Sequence, residues 1–196
     1  MRIIPSDSKM KELILHVAQA SETDEKFGAQ KLNKILFYAD FLSYLMRGKP
    51  ITGQQYFALE EGPAPKHLLP LREIMKNKGE IAIKKSNYFG FPQERVVALR
   101  APDYSKLEAQ DIAFADVVIR KLRDMNGREV SEESHKFAGW KIAYTKGPKT
   151  IIPYSIARFD LESFFGIQPP QLPDNLVNHA KALHRKLFHS PTPLAT

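Results

Sequence analysis

The chain has 196 residues, of which 43% are hydrophobic and 26% charged, with a formal net charge of +7 and no cysteine. That size fits one domain, or one domain with an appendage, and can bury a core without covalent staples. The absence of cysteine excludes disulfides, thiolate metal sites and cysteine nucleophiles together. The start, Met1 to Asp7, lacks the apolar stretch of a signal peptide, and no apolar run spans a bilayer, so the expected setting is the cytoplasm.

Residues 8–20 read as a short amphipathic helix with Met10, Leu13, Ile14 and Val17 on one face. A polar turn, Ser21 to Glu25, leads to a second helix from about Ala29 to Arg47. Leu32, Ile35, Leu36, Ala39, Leu42 and Met46 keep helical spacing, and Phe37, Phe41, Tyr44 and Leu45 fill most of the remaining circumference. A helix apolar on so many sides must be covered on several of them, which makes it the expected centre of the fold. Asn33, Asp40 and Arg47 leave one narrow polar stripe, read as internally paired or solvated rather than as a recognition groove. Gly48 stops the helix and Pro50 prevents its return.

Gln55 to Glu60 is an alternating, aromatic strand, and Glu60 and Glu61 diverge too much for a paired acid–base site. Gly62-Pro63-Ala64-Pro65 reads as a turn opening a helix that carries Leu68, Leu71, Ile74 and Met75, with Pro70 inside it. Residues 80–85 and 94–100 are two alternating strands. The connection between them, 86–93, is read as a longer loop exposing Tyr88, Phe89 and Phe91, a partner-facing tip. Ser105 and Glu108 form a capping box that opens a helix through about Met125. Ser131 caps a short helix through about Ala138. The single tryptophan, Trp140, is read as a packed anchor with His135 as its neighbour. Gly147-Pro148 is a turn, and residues 153–165 can form another helix. After Pro169, Pro170 and Pro173, Asp174 caps a last helix, 175–188, whose Lys181, Arg185 and Lys186 form a basic face able to meet nucleic acid or an acidic partner.

No catalytic constellation is found: there is no nucleophile elbow, no phosphate loop and no H-E-x-x-H. His179, His184 and His189 recur every five residues, which does not place two metal ligands on one helix face. No motif calls for a cofactor.

Lys31-Leu32 with Leu36 to Ala39, Gly48-Lys49-Pro50, Tyr56, Gly62-Pro63, the hairpin, Asp103 to Leu107, and Ser134-His135 with Gly139-Trp140 follow one another in an order that resembles the SocA-like Panacea antitoxin family. Two departures are the Ala64-Pro65 that follows Gly62-Pro63 and the extension beyond about Gln168. The resemblance implies a non-catalytic antitoxin of a toxin–antitoxin system, of a kind common in prophages. Its partner would be a cognate toxin, which such proteins bind directly or, in one branch, deliver to an AAA+ protease. The expected fold is α+β, mostly helical, with a small antiparallel hairpin or three-stranded sheet. The expected division is an antitoxin domain over 1–167 and a Pro-rich connector with a basic helix over 168–196. The expected partner-binding residues are Tyr88, Phe89, Phe91, Lys181, Arg185 and Lys186. The rival reading is a nucleic-acid binder that uses the hairpin and the basic helix.

Overall fold

The computed structural model describes residues 3–88, 90–159 and 164–166. Six helices surround two small antiparallel sheets among these residues, as expected of a mostly helical α+β domain. The helices are α1 (Asp7–Ala20), α2 (Ala29–Arg47), α3 (Leu68–Asn77), α4 (Ala109–Leu122), α5 (Gly127–His135) and α6 (Ala138–Thr145). The strands are β1 (Tyr56–Leu59), β2 (Gly62–Pro65), β3 (Ile81–Tyr88), β4 (Phe91–Ala98) and β5 (Thr150–Ile152). One sheet has the order β2-β1-β5 and the other is the β3-β4 hairpin.

Helix α2 is the centre. Leu32, Ile35, Leu36, Phe37, Tyr38, Ala39, Phe41 and Leu42 are all buried. The cover comes from α4, α5, β2 and the 3-10 segment Tyr154–Phe159, with α1 and β4 adding to it. Gly48 closes the helix in the left-handed region, φ 74°, and its N–H donates to the Tyr44 carbonyl at 2.8 Å. Phe37 and Phe41 sit within aromatic contact distance of Tyr56 and Phe137, and Phe41 of Tyr154, so α2, β1, the start of α6 and the 154–159 segment share one aromatic core.

Several boundaries differ from the sequence reading, each for a local reason. Gly62 to Pro65 is a strand, not a turn: it pairs with β1 from Leu59↔Gly62 to Tyr56↔Pro65. Two prolines fit because β2 is an edge strand of its sheet. Pro70 is the third residue of α3, where no intrahelical N–H bond is lost, so the helix needs no kink. The box that opens α4 is Glu108 with Asp111, whose carboxylate accepts the Glu108 N–H at 3.0 Å; Ser105 lies in a 3-10 turn instead. Asn126, not Ser131, caps α5: its Oδ1 accepts from the N–H groups of Arg128 and Glu129, both at 3.0 Å, so the helix begins at Gly127. Trp140 lies within α6. Residues 150–152 join β1 as a third strand, and the helix expected over 153–165 is a 3-10 segment up to Phe159. The expected helix 175–188 lies outside the described residues.

Candidate partner-binding surface

The hairpin is longer and tighter than its sequence suggests. Strands β3 and β4 pair from Ile81↔Ala98 to Tyr88↔Phe91, which leaves only residues 89 and 90 between them. The expected eight-residue loop is therefore mostly strand. The missed pairing begins at Ser86 and Asn87, which carry no apolar signal yet pair with Gln93 and Pro92.

The base of the hairpin is anchored in the core by Ile81 and Val96, both about 1% exposed. Arg95 and Gln93 brace its side. The Arg95 guanidinium donates to the backbone carbonyls of Ser21, Glu22 and Asp24 at 2.5–2.8 Å, and Gln93 Nε2 donates to the Glu25 carbonyl at 3.1 Å. Arg95 also lies over the buried Phe27 ring at 5.6 Å. Below it, Arg100 binds Glu12 with two bonds of 2.7 and 2.8 Å and Glu80 with one of 3.0 Å. The Arg100 pair holds the Glu12 carboxyl below its ordinary range against the opposing cost of burial. A groove of about 760 Å³ runs between β4, the end of α1 and the 21–25 turn.

The tip projects beyond these braces. Phe91, first residue of β4, is 75% exposed, among the most exposed large apolar side chains of the described residues. Tyr88 closes β3 opposite it. Phe89 lies outside the described residues, as do Lys181, Arg185 and Lys186. The structure thus places Tyr88 and Phe91 together at the tip. Arg95 and Gln93, which carry the tip, were missed; their positions two apart on one strand face were the available signal.

The polar stripe of α2 turns inward. Asp40 is fully buried and accepts from the Thr52 N–H at 2.6 Å and from the Thr52 hydroxyl, with the hydroxyls of Tyr56 and Tyr154 at 2.7 and 3.2 Å. Burial raises its pKa, and these four hydrogen bonds oppose the rise. Burial likewise raises both tyrosines. Arg47 pairs with Asp111, itself fully buried and also bonded by Lys9 at 3.0 Å, and with Glu108 at 3.0 Å. These groups tie elements together and offer no open surface.

The residues that carry the family resemblance converge on a second junction. The Lys34 ammonium, fully buried, donates to the Glu61 carbonyl; burial brings its pKa down to about 8. Gly62, φ +93°, lies directly over it: a Cβ there would come within 2.2 Å of Ser134 Oγ and 2.9 Å of Lys34 Cε. Trp140 Nε1 donates to the Leu59 carbonyl at 2.9 Å, and its ring stacks with His135 at 4.1 Å and with Tyr144 at 4.8 Å. Trp140 is therefore a half-buried anchor with His135 as its stacked neighbour.

Among the described residues no three His, Cys, Asp or Glu side chains gather to hold a metal ion, and no helix is long and apolar enough to cross a membrane. The family model described as Antitoxin SocA-like, Panacea domain matches residues 32–141, from the first turn of α2 into α6. No curated protein matches. No solved structure matches. The matched span covers more than half of the chain and contains most of α2, the Lys34–Gly62–Ser134 junction, the hairpin and Trp140, so the chain belongs to the SocA-like Panacea antitoxin family, whose general role is in toxin–antitoxin pairing.

Proposed function

We propose that this protein neutralises a cognate toxin by binding it directly, with the tip of the β3–β4 hairpin as the principal recognition element. The observation that carries this reading is Phe91, 75% exposed at the end of a hairpin whose base is buried and whose side is braced by Arg95. An exposed aromatic on a rigid support loses little conformational entropy on binding, which is what an interface anchor requires. We assign Tyr88 and Phe89, close to Phe91 in sequence, to the same recognition element. The toxin is held with its active surface occluded, or is handed from this complex to an AAA+ protease, and the encounter takes place in the cytoplasm. No catalytic step is assigned to the chain. The family match lies wholly within residues 1–167, which is in keeping with a domain over that range and an appendage over 168–196.

The net charge of +7 favours one second reading, a nucleic-acid binder in which Lys181, Arg185 and Lys186 contact phosphates. Salt separates the two. The chain is to be co-expressed with the product of the neighbouring reading frame and the complex washed at increasing salt. The proposal predicts a stoichiometric protein complex that survives high salt and restored growth of cells making the neighbouring product. Retention of nucleic acid that is released steeply by salt, with no protein partner, would contradict it.

A further inference from the structure

We infer that the outward face of the β1–β5 pair, flanked by α6, is a second docking surface, and that it takes an acidic protein segment bearing an aliphatic or aromatic anchor. Strand β5 is the edge of its sheet and pairs antiparallel with β1, which sets Ile151 directly opposite Phe57 on one face. Ile151 is 42% exposed and Phe57 is half-buried, and Lys66 lies over the Phe57 ring at 5.7 Å. Leu59 shares this face two residues along β1. The Leu59 carbonyl receives the Trp140 indole, on which the exposed Tyr144 ring stacks, so the apolar surface continues onto α6.

On the α6–β5 side of this surface the charge has one sign. From Ala138 to Pro153 the chain has three lysines and no acidic residue. Lys141, Lys146 and Lys149 are exposed and make no ion pair among the described residues. The nearest carboxylates on the sheet, Glu60 and Glu61, lie in the β1–β2 turn past Leu59. Lys149 is also the described non-glycine residue with positive φ, 63°, beside Gly147 and immediately before β5. Glycine would occupy that position without strain, yet the chain places a charged side chain there.

An apolar centre with a rim of unpaired ammonium groups complements a segment of opposite charge and similar apolar centre. A protein fits better than nucleic acid because the Trp140 ring is already stacked against His135 and Tyr144, and Ile151 offers no plane on which a base could stack. This surface is distinct from the hairpin tip and does not depend on the toxin reading.

Trp140 is the only tryptophan of the chain and sits at this surface, so its emission reports on it directly. The probe is a synthetic peptide of Asp and Glu around a central Leu-Phe pair, titrated into the full chain. Saturable change in Trp140 emission is expected, weakened at least tenfold by Lys149→Glu or by Ile151→Ser. Both residues are exposed, and unchanged thermal unfolding verifies that each variant folds. The hairpin variant Phe91→Ser should bind this peptide as the unaltered chain does. Three results would overturn the inference: unchanged emission, equal binding of a peptide with Ser in place of Leu-Phe, or tighter binding of a single-stranded RNA of equal charge.

Discussion

Replacing Gly62 with alanine should be among the most costly single-methyl additions in this protein. The backbone there is at φ +93°, and a Cβ would lie 2.2 Å from Ser134 Oγ, 2.9 Å from Lys34 Cε and 3.0 Å from Lys34 Nζ. A left-handed conformation costs a non-glycine residue roughly 1–2 kcal/mol. Overpacking adds typically about 1–3 kcal/mol. Lys34 cannot swing aside cheaply, because its ammonium is fully buried and held on the Glu61 carbonyl. The sum is about 2–5 kcal/mol, which for a domain of this size lowers the thermal midpoint by very roughly 4–20 °C. Thermal unfolding followed by circular dichroism measures it. The two contributions separate in Gly62→Ala combined with Ser134→Ala, which removes the nearest atom. The double variant should recover part of the overlap cost, less about 1 kcal/mol for the Ser134 bond to the Ser131 carbonyl, and none of the backbone cost. A Gly62→Ala variant within about 0.5 kcal/mol of the unaltered protein would refute the close approach of β2 to α2 and α5.

Leu36→Ala removes a fully buried side chain from the central helix and should cost about 2–5 kcal/mol in denaturant unfolding; an unchanged midpoint would place α2 elsewhere. Arg95→Ala deletes the charge-assisted bonds to Ser21, Glu22 and Asp24, and should cost about 1–3 kcal/mol while accelerating amide hydrogen exchange in β4 more than in α2. Asp40 has its pKa raised in the fold, so its contribution to stability is full below the ordinary carboxylate range and declines as pH rises through the folded value. The stability gap between the unaltered protein and Asp40→Asn should therefore narrow as pH rises, and a gap that widens would show a carboxylate held ionised. Glu12 has the opposite sign: its pKa is lowered, mainly by Arg100. The stability it supplies is present above the ordinary carboxylate range and lost as pH falls below it, a loss that Glu12→Gln should abolish.

The central helix was legible because its apolar residues occupy so much of its circumference, and the burial of those apolar residues between Leu32 and Leu42 follows from that pattern alone. The strand at β1 was legible by alternation and aromatic content. Other elements were hidden where tertiary context outweighs local propensity. Gly-Pro-Ala-Pro reads as a turn, and becomes a strand only because β1 supplies its partner and α2 its cover. The polar half of the hairpin carries no hydrophobic period, so its pairing is set by the opposite strand. Capping was ambiguous at α4 and α5, since each had two candidate residues within a few positions and only the backbone decides between them. The buried cations were not legible as such. Lys31 and Lys34 look like solvated charges, and only the fold brings Asp24 with the Arg123 carbonyl, and the Glu61 carbonyl, to meet them.

The affinity of the chain for the product of the neighbouring reading frame, measured by calorimetry for the unaltered protein and for the variant with Tyr88, Phe89 and Phe91 all replaced by Ser, tests the proposed toxin binding most directly. Phe91 is exposed, so the substitutions should leave thermal unfolding nearly unchanged. One hot-spot residue worth about 2 kcal/mol weakens binding about thirtyfold, and the triple variant should lose at least that much. Full affinity in a stably folded triple variant would contradict the account and take the hairpin tip out of the interface.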